Sequence, residues 1–143
     1  MRPASSCLCP DRPPMETRTR VVLLMHPKEY RRERTGTGRL ACLNLANSEI
    51  VPGIALDGHP RVRALLDDPS NHPVLLYPGP GSIDLGAPDG PGRLAREAGG
   101  RRLVVFLVDA TWACSRAVLR GSPLIASLPR LSFRAAERRR WGI

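Results

Sequence analysis

Three short stretches hold most of the reactive chemistry, and each directly follows an apolar run. Asp109-Ala110-Thr111-Trp112 follows LVVFLV, His26-Pro27-Lys28-Glu29 follows VVLLM, and Tyr77-Pro78-Gly79-Pro80 follows VLL. A carboxylate at the end of a buried strand can accept a proton or hold a cationic group, and an indole offers its π face to a ring or a cation. A Pro-Gly-Pro turn is rigid, and Gly79 without a Cβ lets backbone come close to a ligand. Each stretch also has a purely structural reading. His26 before a proline can be a cap or a satisfied polar residue, Tyr77–Pro80 can be a plain turn, and Asp109 can cap a helix starting at Thr111. All three on one edge of a sheet would favour a site.

The apolar runs predict the scaffold that would do this. Residues 20–25, 49–56, 72–76, 101–110 and 128–133 read as strands, with 101–110 fully buried and Pro52 placing 49–56 at an edge or a strand end. Residues 39–48 predict a helix with Leu40, Leu43 and Leu45 on one face, and 59–68 a helix with Val62, Leu65 and Leu66 inward. Residues 92–98 predict a short helix, and 111–123 a helix ended by Gly121 and Pro123. Residues 1–19 and 26–38 read as loops, the second charged. Strands alternating with helices predict an α/β domain, and continuous apolar strands predict a mostly parallel sheet with flanking helices. In such a sheet, ligands bind beyond the carboxyl ends of the strands, where all three stretches fall.

The 143 residues carry a net charge of +9, which favours a polyanionic partner. All basic residues except Lys28 are arginine, the better phosphate fork, although 13 Gly and 15 Pro show that composition alone inflates arginine. Arg31, Arg32, Arg34 and Arg39 crowd one segment, and Arg130, Arg134, Arg138, Arg139 and Arg140 another. No apolar run approaches the ~20 residues that span a bilayer, and the N-terminus lacks a secretory h-region, so the expected location is the cytoplasm. Cys7 and Cys9 form a C-x-C pair, which is half of a four-ligand zinc set, while Cys42 and Cys114 read as structural thiols. Gly36-Thr37-Gly38 before a helix is a weak anion-binding signature without the lysine of a P-loop or the third glycine of a dinucleotide fingerprint. No hydrolase triad spacing, H-E-x-x-H or paired C-x-x-C occurs.

At this point the sequence resembles one family. Asp109–Trp112 matches the D-x-T-W signature of the DTW-domain proteins, the tRNA-uridine aminocarboxypropyltransferases. Residues 25–54 resemble that family's M-H-P-x-E block and its G-T-G-R-L segment, 75–80 its [FY]-P-G-P turn, and 109–133 its collinear continuation. The resemblance implies a SPOUT-like α/β fold and transfer of the 3-amino-3-carboxypropyl group of S-adenosylmethionine to N3 of a tRNA uridine, releasing methylthioadenosine. It further implies Asp109 as the catalytic residue, either base or ligand of the methionine amino group. Tyr77, Pro78, Gly79, Pro80, Thr111 and Trp112 join Asp109 at the cofactor, and His26, Glu29, Arg31, Arg32, Arg34 and Arg39 meet the RNA. Members carry an N-terminal C-x-x-C…C-x-C zinc set, in which Cys7 and Cys9 match the second pair alone, so the resemblance implies half a zinc site here. Members also continue through Y-x-I-R to an S-T-x-E-A helix, a pattern that "RAAERRRWGI" does not follow. The expected plan is a zinc-segment remnant over 1–19, a DTW domain over 20–133, and a divergent or truncated basic tail over 134–143, with the C-terminal knot region incomplete. An inactive fragment or RNA-binding remnant, and a SPOUT-like RNA methyltransferase, are the competing readings.

Overall fold

The valine- and leucine-rich run at Arg20–Met25 forms the first strand, β1, of a sheet whose strands all point the same way. The computed structural model describes residues 13–32 and 36–133. Along the chain follow α1 (Pro27–Arg32), α2 (Thr37–Asn44), β2 (Ser48–Pro52), α3 (Pro60–Leu66), β3 (Asn71–Leu76) and β4 (Ile83–Asp84). Then come α4 (Gly90–Ala98), β5 (Arg102–Asp109), α5 (Trp112–Gly121), α6 (Pro123–Ala126) and β6 (Arg130–Ser132). The strand order is β2-β1-β5-β3-β6-β4, and every pairing is parallel. The expected α/β fold with flanking helices is present, consistent with a SPOUT-like architecture. The expected incomplete knot concerns residues beyond 133, outside the described ones.

Successive strand residues face opposite sides of a sheet. One side carries Val22, Leu24, Leu75, Val104 and Phe106, which pack with Val62 and Leu65 of α3, Val118 of α5 and Ile125 of α6. Phe106 is fully buried in this layer, and truncating such a ring to alanine costs about 3–5 kcal/mol. The other side carries Val74, Ile83 and Leu131, joined by Leu94 of α4 and by Leu103 and Val105 of β5. Ser122 links the layers' connections, accepting from Leu56 N at 2.9 Å and donating to Ile54 O at 2.9 Å.

Four local expectations change. The 26–38 loop contains α1, which buries nothing and so leaves no apolar periodicity to read. Its entry is a local device: Pro27 opens the helix, and His26 Nδ1 accepts the Lys28 N–H at 3.2 Å. His59-Pro60 opens α3 in the same way, with Arg61 N–H donating to His59 Nδ1 at 3.2 Å. On α2, Leu40 and Leu45 are half-buried but Leu43 is exposed. Strand β5 is not fully buried, because only Val104 and Phe106 are enclosed while Leu103, Val105 and Leu107 lie half-open on the α2 and α4 side. Finally, β4 is a two-residue strand with no alternation to detect.

Candidate functional site

The order β1-β5-β3 sets the three carboxyl ends side by side, with Met25 level with Asp109 and Leu76 level with Leu107. The His26, Tyr77 and Asp109 stretches therefore share one rim. Within it, the D-A-T-W tetrapeptide divides between the two sides of the sheet.

Asp109 continues the face of Leu107. Its carboxylate lies against Gly38 in the first turn of α2, in the space where a Cβ on Gly38 would sit, and Leu23 Cδ2 bounds the same spot. Position 38 thus has no room for a side chain. The glycine-rich segment read as an anion loop meets the protein's own carboxylate. Asp109 and Thr37 line two adjoining cavities. One, about 290 Å³, runs under α2 along Val21, Leu23, Ala41, Leu45 and Leu107 and is mainly apolar. The other, about 270 Å³, opens between Met25, Glu29, Gly36, Ala110 and Thr111. The cap reading of Asp109 does not hold, since α5 is capped by Thr111 without a side-chain hydrogen bond. Instead Ser115 Oγ donates to Ala110 O at 3.2 Å.

Trp112, at the start of α5, belongs to the other side. Its ring meets Tyr77 edge-on, with centroids 6.2 Å apart and planes at 73°. It is 72% exposed, which leaves a π face open to solvent. Arg130 lies over Tyr77, its guanidinium carbon 5.8 Å from the ring centroid. In the turn, Pro78 and Pro80 are exposed and Gly79 is half-buried. Gly81 takes φ +74, the left-handed conformation that glycine accepts most readily.

The arginine-rich segment is less uniform than its sequence suggests. Arg31 and Arg32 are exposed on the last turn of α1, and Arg34 lies outside the described residues. Arg39 is engaged within the protein, donating to Tyr30 O at 2.8 Å and stacking on the Tyr30 ring at 4.4 Å. It joins α2 to α1. Glu29 lines the Asp109 cavity, and His26 caps α1 at its edge. Sequence reasoning did not include Thr37, Gly38 or Arg130 in the site. The G-T-G signal was visible for the first two, while Arg130 was hidden in a count of basic residues.

Cys7 and Cys9 lie outside the described residues. Among the described residues no group of three or more His, Cys, Asp or Glu is placed to hold a metal ion, so these residues do not complete a four-ligand set. No helix among them is long and apolar enough to cross a membrane.

A family model described as the DTW domain matches residues 1–143. The tRNA-uridine aminocarboxypropyltransferase 2 of Drosophila melanogaster is 30% identical over 133 residues, covering 89% of this chain and 49% of that protein. The chain thus spans about half the length of this curated relative. No solved structure matches. The tetrapeptide at the end of β5, the H-P-x-E block beside it and the match along the whole chain lead to one conclusion: the chain belongs to the DTW-domain family.

Proposed function

We propose that the rim is the site of a tRNA-uridine aminocarboxypropyltransferase that uses S-adenosylmethionine as donor. The observation that carries this reading is Asp109, half-buried between two cavities on the rim where Tyr77 and Trp112 present an open aromatic pair. The residues fit the donor's chemistry, because an exposed indole suits an adenine ring or a sulfonium cation and a carboxylate suits an ammonium. The bound donor supplies an electrophilic methylene beside a sulfonium sulfur.

Uridine N3 is a weakly acidic imide and must lose its proton as the N3–C bond forms. The C–S electron pair then stays on sulfur as methylthioadenosine leaves. Asp109 either takes that proton or holds the donor's amino group, with Glu29 and Thr37 shaping the same cavity. Tyr77, Pro78, Gly79, Pro80, Thr111 and Trp112 form the donor side. His26 and Glu29 face the incoming base, and Arg31 and Arg32, exposed on α1, meet phosphates, with Arg34 and Arg39 in the same basic segment.

The test is incubation with tRNA and S-adenosylmethionine labelled separately in the methyl and carboxypropyl groups. Carboxypropyl label in RNA is the expected result. Methyl label would make the chain a methyltransferase, and RNA binding with neither label would make it a binding remnant; either result overturns the proposal.

A further inference from the structure

We propose that Arg130 is a positioning residue for the donor side: its guanidinium fills the space left by the missing Cβ of Gly79 and holds the 77–80 turn, and with it the Tyr77–Trp112 pair. The inference rests on the functional reading above for its kinetic consequences, but its geometry stands alone. Strand β6 runs between β3 and β4, and Arg130 is its first residue, level with Leu75. The 77–82 connection joins the two strands on either side of it. Tyr77 N–H donates to Leu131 O at 3.1 Å, Leu85 N–H to Ser132 O at 2.8 Å, and the Ser82 and Ser132 hydroxyls meet at 3.0 Å.

Within that frame Arg130 makes three contacts, two on the turn and one on the end of α6. Nη1 donates to Pro78 O at 3.5 Å, Nη2 to Ala126 O at 3.4 Å, and the guanidinium carbon lies over the Tyr77 ring at 5.8 Å from its centroid. A Cβ on Gly79 would overlap Nη1 and meet Cδ and Cζ at 3.3 Å. The missing side chain at Gly79 is therefore matched by a cation of the protein. No ion pair among the described residues includes Arg130, so the turn and the aromatic ring set its position, not a carboxylate. The planar fork is what this geometry uses. A lysine in its place has no flat face to stack and no second nitrogen for the Ala126 carbonyl.

The experiment compares five proteins, each carrying Trp141→Phe so that Trp112 is the remaining tryptophan: the parent, Arg130→Ala, Gly79→Ala, their double variant and Arg130→Lys. Arg130→Ala should raise the donor KM about tenfold, leave the tRNA KM in place, and make Trp112 more open to acrylamide quenching. Gly79→Ala alone should shift the same readouts in the same direction by displacing the guanidinium. The double variant should be no worse than Arg130→Ala, because the obstructing group is gone. Arg130→Lys should behave like Arg130→Ala. Additive losses would mean that Gly79 faces a ligand directly and would overturn the proposal. So would a rise confined to the tRNA KM that Arg130→Lys restores, the mark of a phosphate contact. A fall in melting temperature with donor KM and quenching unchanged overturns it as well. Should the parent transfer no label at all, the functional reading fails, while quenching and the non-additivity of the four melting temperatures still decide the role of Arg130.

Discussion

The two halves of the rim are built from one tetrapeptide and offer opposite chemistry. On the side of α1 and α2, Asp109 brings a carboxylate to the mouth of a mainly apolar cavity, with Glu29 and Thr37 around it. On the side of β3 and β6, Trp112 and Tyr77 form an exposed aromatic corner backed by the Arg130 cation. The division follows from backbone period. Asp109 still obeys the two-residue alternation of β5 and takes the face of Leu107. Three residues later Trp112 sits on a helix whose buried apolar residue Val118 packs on the opposite face. A strand end followed at once by a helix can thus serve both sides of a sheet from four consecutive residues. One half suits a cationic or proton-bearing group, and the other suits a flat ring.

If that division is functional, the acidic half should fail hardest. Asp109→Asn keeps the shape beside Gly38 and removes the charge, so transfer should fall by about two to four orders of magnitude in a labelled-donor assay. The pattern of loss separates its two roles. As a base, Asp109 acts in the chemical step, and the variant loses kcat with donor KM steady. As a ligand of the donor's amino group, the loss appears mainly in donor KM. Wild-type-like transfer by Asp109→Asn would remove this half from the chemistry. Next in size is Gly38→Ala, whose added methyl meets both the Asp109 carboxylate and Leu23. Overpacking of this kind costs about 1–3 kcal/mol, measurable by denaturant unfolding. Combining it with Asp109→Ala should return part of that stability, because one of the two obstructing groups is removed. An unchanged cost would break the link between the G-T-G segment and Asp109.

The aromatic half should show the reverse balance. Trp112 is so exposed that Trp112→Ala should change stability by no more than about 0.5 kcal/mol, while donor KM rises about tenfold. A large loss of stability with an unchanged KM would make the indole part of the scaffold and cancel the comparison.

Much of this layout was legible in the sequence because parallel strands announce themselves as apolar runs. Arg20–Met25, Asn71–Leu76 and Arg102–Asp109 were placed within a residue or two, and their shared carboxyl end followed from the parallel sheet. What could not be read lacked a repeating signal. Helix α1 buries nothing, and β4 is two residues long. The approach of Gly38 to Asp109 joins residues 71 positions apart, and no local pattern encodes it. Arginine counts carry no information on contacts within the protein. Arg39, grouped with the RNA-facing cations, also holds Tyr30, while Arg130, counted within the second arginine cluster, reaches Tyr77 and Pro78. His26 shows a different limit. Its cap is repeated by His59 away from the rim, so the H-P pair by itself reports a helix start.

Away from the rim, near the amino ends of β3 and β2, two further sites should yield to acid at different pH, the smallest of the expected effects. On β3, burial pushes the His72 imidazole below the ordinary histidine value of 6.5, the nearby Arg101 guanidinium pushes the same way, and Glu97 opposes them. His72 is 6% exposed, Arg101 Nη2 lies 2.9 Å from its Nδ1, and its Nε2 is buried without a partner. The unfolded chain therefore takes up this proton more readily than the folded one, and stability should begin to fall as pH drops through about 6.5. On β2, burial raises the Glu49 carboxyl, but hydrogen bonds from Arg61 and Arg20 outweigh it and hold the group below its ordinary value of 4.5. Those contacts, 2.7 Å to Arg61 Nε and 2.8 Å to Arg20 Nη1, tie β2 to α3 and β1. Their contribution is present above pH 4.5 and is lost as pH falls below it. Denaturant unfolding across this range should show two successive losses, and hydrogen exchange should place the first on β3 and the second on the β1–β2 edge. His72→Gln should remove the upper loss and leave the lower one. If that variant still loses stability through pH 6.5 as the parent does, the upper transition lies elsewhere in the fold.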